Sequence, residues 1–316
     1  LEFTSADDPA PGAGEVLVAV AYAGLNFADV AMRTGLAGMP FPFVPGLEGS
    51  GRVVAIGAGV DDVAVGDRVA WCPTAAATTL GAYAELVSLP LGQVLAVPDD
   101  VSLLDAAAMA LQGLTAHYLV TARAPIGPGT TVLVHAGAGG TGRLVVQWAA
   151  HLGATVLATV SSDAKAASAR AAGAHEVIRY DEVDFADEAR RLTGGVGVDY
   201  IVDGVAGSTF RGDLRALADR GTICVFGVAG GVPEPFSPME LFPRSLTVTS
   251  GSLTNFMRTR AEVVTKADEL WSARREGWLV PLVEHRYPLA EAAAAQAALE
   301  SRATIGKVVL EVAGGD

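Results

Sequence analysis

The chain has 316 residues, 51% hydrophobic and 18% charged, with a formal net charge of −13. That apolar content argues for buried cores, the length suits two domains, and the acidic balance excludes a general nucleic-acid or polybasic membrane surface, since little is there to neutralise phosphates. Two cysteines, Cys72 and Cys224, build neither a disulfide framework nor a multi-cysteine zinc site; no apolar run is long enough to span a membrane and no signal peptide is evident, so a cytoplasmic location is expected.

The chain opens at Leu1 close to a Pro- and Gly-rich turn, Pro9–Gly14, and a short strand is expected to precede it, outside this numbering. The first third reads as β-rich. Glu15–Ala21 is a strand, Tyr22–Asp29 a loop, Gly49–Ile56 a second strand and Arg68–Trp71 a third, with Tyr83–Ser88 and Val94–Val97 as short additions. Short strands at such spacing, punctuated by Gly and Asp, predict a compact barrel-like β domain.

From Ser102 the period changes. Leu103–Tyr118 reads as a helix with Asp105 in its first turn. A regular alternation follows: strand Thr131–His135, helix Thr141–Leu152, strand Thr155–Thr159, helix Asp163–Ala172, strand Glu176–Tyr180, strand Asp199–Asp203, helix Ser208–Leu217, strand Thr222–Phe226 and a last strand Leu246–Ser250. The fold class expected is α/β, a β domain beside a doubly wound parallel sheet of six strands. The tail from about Arg258 has a long helix, Val283–Tyr287, an Ala-rich helix and a strand, Lys307–Val312, and is expected to fold back onto the first domain. The boundaries expected are 1–112 with 255–316 for the first domain and 113–254 for the second.

The sharpest motif is VLVHAGAGGTG, Val132–Gly142, with G-x-G-x-x-G at Gly137, Gly139 and Gly142. A strand precedes it, a helix follows and a second strand comes on schedule, the context in which such a loop cradles a dinucleotide pyrophosphate. Structurally it could be an ordinary glycine-rich turn. An NAD site would place an acid at the end of the second strand. This chain has Thr159-Val160-Ser161-Ser162 there, then Asp163, a helix-start carboxylate, and Lys165. Small hydroxyls and a lysine suit a 2′-phosphate, although Lys165 could equally be a solvated helix lysine.

The segments AGLNFADV (Ala23–Val30), PFVPGLEGSGRV (Pro42–Val53), VGDRV (Val65–Val69), GAYAE (Gly81–Glu85), LQGLTAHYL (Leu111–Leu119), HAGAGGTG (His135–Gly142), GTICVFG (Gly221–Gly227) and ESRATIGKVVL (Glu300–Leu310) give the chain a resemblance. It resembles the zinc-independent, zeta-crystallin-like quinone oxidoreductases of the medium-chain dehydrogenase/reductase superfamily, from Glu15 to Leu310. The resemblance implies a GroES-like β domain plus a Rossmann domain with NADPH in the cleft between them. It implies pyrophosphate contacts from Gly139, Gly140, Thr141 and Gly142, and 2′-phosphate contacts from Ser161, Lys165, Tyr180 and Arg302. Further cofactor contacts fall to Gln112, Thr115, Phe226 and Gly227, where a plain helix surface is a competing reading for Gln112 and Thr115. Zinc-dependent relatives place Cys where this chain has Asn26 and His where it has Leu47, beside Glu48, so no metal is expected. Relatives often carry tyrosines in the loop that follows. Here Val30–Met39 has Ala31 and Ala37 and no tyrosine, which implies a roomier pocket.

Asn26 is expected to border the nicotinamide and polarise the acceptor carbonyl as a neutral donor; as a bland alternative it caps a loop. Tyr83 either lines the substrate entrance or is a buried tyrosine. Glu48 and Asp67 are read as structural, as are His135 and His151. No G-x-S-x-G nucleophile elbow is present. The function expected is NADPH-dependent hydride transfer to a small-molecule electron acceptor, a quinone. The alternatives are an enoyl or alkenal reductase acting on an enone, and a non-catalytic NADPH-binding redox sensor or structural protein. The strand 246–250 is expected at a sheet edge, pairing with its copy in a homodimer.

Overall fold

The computed structural model describes residues 1–36 and 38–312; Ala37 and the last four residues of the expected first domain lie outside them. The chain divides into two compact units. One comprises Leu1–Leu114 and the chain from Leu253 onward, the other Thr115–Ser252.

The first unit is organised around β1 (Glu15–Gly24), whose even-numbered valines Val16, Val18 and Val20 point into the core at no more than 1% exposure. β2 (Glu48–Ile56) pairs along β1, and β3 (Arg68–Trp71) along β2. β4 (Leu86–Pro90) joins the first half of β1, and β5 (Val94–Ala96) joins β3. The strand expected at Tyr83 starts only at Leu86, because Tyr83 N donates to Pro45 O, outside any strand. Buried apolar side chains such as these contribute roughly 1.5–3 kcal/mol each.

The expected loop Tyr22–Asp29 is corrected at both ends. β1 continues to Gly24, since a strand from the far end of the chain covers its edge at Tyr22–Gly24. Helix α1 (Phe27–Arg33) then begins at once. Asn26 N donates to Asp29 Oδ2 at 2.8 Å and Asp29 N to Asn26 O at 3.0 Å, which fixes the first turn. The helix α2 (Leu103–Thr121) contains the division between the units.

In the second unit the strands are β6 (Thr131–Val134), β7 (Thr155–Val160), β8 (Glu176–Arg179), β9 (Val198–Asp203), β10 (Leu217–Val225) and β11 (Thr247–Ser250). Between them lie α3 (Gly140–His151), α4 (Asp163–Ala171), α5 (Phe185–Leu192) and α6 (Phe210–Ala216). All six strands are parallel, in the order β11-β10-β9-β6-β7-β8. The direction of winding reverses at β6, the switch point outside whose carboxyl end such sheets bind ligands. Leu133, Leu157, Ile178, Ile201 and Ile223 form the core with Phe210. Helix α5 has no counterpart in the sequence reading. Its apolar stripe, Phe185, Ala186, Ala189 and Leu192, packs on this core, and Asp184 starts it by accepting from Ala186 N and Asp187 N. α6 is shorter than expected because β10 already begins at Leu217, paired with Val198.

The tail adds α7 (Arg260–Arg275), β12 (His285–Pro288), α8 (Ala292–Glu300) and β13 (Val308–Glu311). β13 runs antiparallel to β1 with β12 beside it, so the tail completes the first sheet as expected.

Candidate active site

In the second unit the glycine loop leaves β6 through Ala136, which adopts φ +51, and enters α3 at Gly139. No side chain caps this helix. A Cβ on Gly142 would run into the carbonyl of Ala136, so glycine there lets the helix start close under the loop. The result is a helix start, Gly140-Thr141-Gly142, whose positive end is left for an anion. At the ends of β9 and β10, Phe226 N donates to Asp203 O at 2.9 Å, with Gly227 following and both half-buried.

At the end of β7, Lys165 Nζ donates to Ser161 Oγ at 3.3 Å. Ser162, rather than Asp163, caps α4 by accepting from Lys165 N. The carboxylate of Asp163 pairs with Arg179, which also holds Asp181 at 2.7 Å and Glu182 at 3.0 Å. Tyr180, 47% exposed, follows β8, its N–H donating to Val160 O. The structure therefore brings Ser161, Lys165 and Tyr180 to adjacent strand ends. Arg302 belongs to the other unit, exposed in the turn after α8 with φ +58.

Beneath the glycine loop lies a buried cluster that the sequence reading did not assemble. His135 Nδ1 is 2.9 Å from Thr159 Oγ1, and its Nε2 is 2.7 Å from Asp213 Oδ1. Asp203 accepts from Val205 N, Ala206 N and Thr209 Oγ1, so both of its oxygens are committed. Ligand atoms of His135, Asp203 and Asp213 lie within 4.8 Å of one another. Asp213 Oδ2 meets no donor among the described residues. Burial pushes the Asp213 carboxyl up to about 7 against the pull of His135. Burial also opposes an imidazolium at His135, but Asp213 outweighs it and the ring titrates above its ordinary range. Both shifts favour keeping a proton in this cluster.

The first unit holds the other buried cluster. Asn26 is 6% exposed and Glu48 fully buried. Asn26 Nδ2 donates to Glu48 Oε1 at 2.8 Å and lies 3.4 Å from Gly24 O. Asn26 Oδ1 accepts from Gln112 Nε2 and from Lys307 Nζ, each at 3.0 Å. Lys307, 2% exposed, also donates to Leu25 O at 2.8 Å and forms an ion pair with Glu48 Oε1. Glu48 Oε2 accepts from Leu111 N at 2.7 Å. Gly24 is required beside this pair, because a Cβ there would sit 2.8 Å from the Glu48 carboxylate and from Ala107 O. Burial draws Lys307 down from the usual lysine range while Glu48 pulls it back. Burial raises Asp29 to about 7, partly offset by the Asn26 N–H. Tyr83, 8% exposed, donates to Asp29 Oδ2 at 3.3 Å.

Two acceptors in this cluster have no hydrogen-bond partner among the described residues, Gln112 Oε1 and Asp29 Oδ1. The hydroxyl and amide donors of a nicotinamide nucleoside are of the kind that would satisfy Gln112 Oε1. Thr115, 7% exposed, lies one turn further along α2. The sequence reading missed Lys307, whose signal was a lone cation opening the apolar run VVL, and it left Glu48 without a partner. Lys307 is that partner. Asn and Leu at positions 26 and 47 offer neither thiolate nor imidazole to a metal.

Residues 12–99 match the alcohol dehydrogenase GroES-like domain family and residues 140–269 the zinc-binding dehydrogenase family. A 2-haloacrylate reductase from Burkholderia sp. is 40% identical over 95% of this chain and 91% of its own length. Quinone oxidoreductase 1 of Escherichia coli (strain K12) is 37% identical over 98% of this chain and 94% of its own. A mycobacterial structure complexed with NADPH superposes with a TM-score of 0.93 at 43% identity, covering 98% of this chain and 95% of that one. A two-unit fold of this kind, the glycine loop at the switch point and similarity along nearly the whole length lead to one conclusion: the chain belongs to the quinone oxidoreductase branch of the medium-chain dehydrogenase/reductase superfamily, with a GroES-like domain and a Rossmann domain.

Proposed function

We propose that the chain is an NADPH-dependent, metal-independent reductase that passes hydride to a quinone. The observation that carries the cofactor choice is the Ser161–Lys165 contact at the end of β7, where the nearest acid, Asp163, is taken up by Arg179. A 2′-phosphate suits that corner and an acid-bound ribose does not. The supporting similarity is to quinone oxidoreductases, one of them the Escherichia coli enzyme complexed with NADPH.

When bound, NADPH supplies the hydride. Gly139, Gly140, Thr141 and Gly142 would hold the pyrophosphate, and Ser161, Lys165, Tyr180 and Arg302 the 2′-phosphate. Gln112, Thr115, Phe226 and Gly227 would hold the remainder. Asn26 would face the acceptor carbonyl with the N–H that lies 3.4 Å from Gly24 O, the longest and weakest contact of its amide. Water then protonates the reduced oxygen, so no dedicated acid is needed. Metal independence rests on Asn26 and Leu47, although the family matching residues 140–269 is described as zinc-binding.

A second reading, reduction of an enone or a related activated double bond, is favoured by the 2-haloacrylate reductase relative. An acceptor screen following NADPH absorbance separates them. Quinone turnover that survives exhaustive chelation is the expected result; turnover of activated alkenes alone would replace it with the second reading, and tight NADPH binding with no turnover would leave a binding protein.

The assembly in this reading is a homodimer through β11, which is the edge strand of its sheet. An edge of unpaired N–H and C=O groups is a hazard unless covered. Val248→Pro should remove a ladder donor and weaken the dimer, and a monomer at micromolar concentration by light scattering would refute it. No helix among the described residues is long and apolar enough to cross a membrane, and a cytoplasmic location accompanies the proposal.

A further inference from the structure

We infer that Lys307, through its ion pair with Glu48, is a positioning residue that fixes the polarity of two amides, Asn26 and Gln112. The inference rests on the proposed placement of those two side chains against the nicotinamide and the acceptor. It does not depend on which acceptor is reduced.

An amide side chain has a donor end and an acceptor end of nearly equal size, and rotation by half a turn about its last bond exchanges them. Its neighbours decide which end points where. At Asn26 the deciding neighbours are charged. A lysine ammonium only donates, and an ionised carboxylate only accepts. Lys307 Nζ stands 3.0 Å from Asn26 Oδ1, and Glu48 Oε1 stands 2.8 Å from Asn26 Nδ2. Exchanging the two ends would set N–H against ammonium and carbonyl against carboxylate, both at contact distance in a buried site. The ammonium itself has no freedom to turn away, because its three N–H bonds meet three acceptors: Leu25 O, Asn26 Oδ1 and Glu48 Oε1.

The constraint propagates one residue further. With Asn26 Oδ1 fixed as an acceptor, Gln112 must turn its amino end toward it, at 3.0 Å. Gln112 Oε1 is then the end left over, and it is the atom that is buried without a hydrogen-bond partner among the described residues. The cluster accordingly presents two open valences of set sign. One is an acceptor at Gln112 Oε1, suited to an amide N–H or hydroxyl of the ligand. The other is the second N–H of Asn26, held loosely at 3.4 Å from Gly24 O and suited to an oxygen that gains negative charge. A cation in contact with Oδ1 also polarises that amide, which strengthens its remaining N–H as a donor.

Energetics favour a role beyond stability. A buried ion pair is commonly matched or bettered by apolar residues of the same volume, yet here two charges sit at 2% and 0% side-chain exposure. An apolar pair would fill the space and leave Asn26 free to adopt either orientation.

The test compares wild type, Lys307→Met/Glu48→Gln, Lys307→Arg, and each of these on an Asn26→Ala background. The double variant removes both charges and leaves no buried ion unpaired. The expected result is a kcat lower by about tenfold, equivalent to about 1.4 kcal/mol, with the KM for NADPH much less affected. Lys307→Arg, still a donor-only cation, keeps most of the activity. On the Asn26→Ala background the double variant has little further effect, which a merely structural role would not produce. A readout independent of turnover is the Asn26 side-chain amide resonance pair in the protein without cofactor: sharp and single in wild type and Lys307→Arg, shifted or doubled in the double variant. Should the double variant not fold, a doubled Asn26 amide resonance in wild type, or a Lys307→Arg variant that loses about tenfold or more in kcat, overturns the inference on its own. The inference is overturned by an unshifted, single Asn26 resonance in the double variant, by additive effects of the double variant and Asn26→Ala, or by Lys307→Arg losing as much activity as the double variant. If wild type binds NADPH but reduces no acceptor, the proposed function fails while the amide spectra still judge the polarity.

Discussion

Each unit of this protein buries a polar cluster, and the two are balanced differently. In the first, Lys307 and Glu48 pair as ions, while Gln112 Oε1 and Asp29 Oδ1 meet no donor among the described residues. In the second, Asp213 bonds the His135 imidazole with Asp203 close by, and Asp213 Oδ2 meets no donor among the described residues. Charge in the first cluster is compensated by another side chain, in the second by a proton. The ion pair of the first should therefore be sensitive to substitution, and the second, like Asp29 beside that ion pair, to pH, because removing a partner strands a charge while changing pH removes a proton.

The largest effect expected is that of Lys307→Met alone, which leaves Glu48 buried and unpaired at a cost of about 3–5 kcal/mol. Urea unfolding should show most of that loss recovered in Lys307→Met/Glu48→Gln. Equal destabilisation by the single and double variants would mean that packing of the lysine stem, and not charge, holds this cluster. Next in size is Gly24→Ala, whose added carbon would meet the Glu48 carboxylate and Ala107 O at 2.8 Å. Overpacking of that kind costs about 1–3 kcal/mol, and an unchanged melting temperature would show that the carboxylate can move aside.

The second cluster is sharpened by pH. Asp213 titrates at about 7 in the fold against an ordinary value of 3.8. Between those values the folded chain keeps a proton that the unfolded chain has released. Stability from this group is complete below about 4 and is lost as pH rises toward 7, with a slope of at most about 1.4 kcal/mol per pH unit for one proton. Asp29 in the first unit, also raised to about 7 by burial, adds a slope of the same sign. Asp213→Asn should reduce the slope measured by denaturant titration at successive pH values and leave the Asp29 share. A slope unchanged by that substitution would show that the proton resides elsewhere. The smallest effect belongs to a site outside both clusters. Lys165→Ala should narrow the preference for NADPH over NADH, itself at least about tenfold or 1.4 kcal/mol, in direct binding measurements; equal affinities of the unsubstituted protein for the two cofactors would remove the basis for it.

The two units also differed in how far they could be read from sequence. The glycine loop, the strand after it and the hydroxyl-rich strand end lie within about one βαβ unit, where spacing along the chain stands for distance in space. The Ser161–Lys165 contact was accessible for that reason. The first cluster joins residues far apart in sequence: Asn26 with Glu48, 22 residues apart, and with Lys307, 281 apart. No local period carries such a pairing, and it was the return of β13 to the edge of β1 that made it. The same return turned the expected loop after Ala21 into strand. Asp213 escaped notice for a related reason, since on α6 it resembles a solvent-facing helix carboxylate until His135 is brought to it by the sheet. Helix α5 was missed although Phe185, Ala186, Ala189 and Leu192 follow a helical spacing, because it is only eight residues long and half of them are charged.

The start of α1 has one more consequence. Position 26 is held by its main chain: its N–H is bound by the Asp29 carboxylate and its carbonyl by the Asp29 N–H. None of that grip involves the side chain at 26. The position is thus a socket whose main-chain mounting is separate from the side chain, which is held in turn by Glu48, Gln112 and Lys307. Exchange of the amide for a thiol or a hydroxyl is expected to keep that main-chain mounting while giving up the side chain's bonds to Glu48, Gln112 and Lys307. A scaffold with such a socket can change its chemistry by single substitutions, which makes residue 26 the place to begin when redesigning what this reductase acts on.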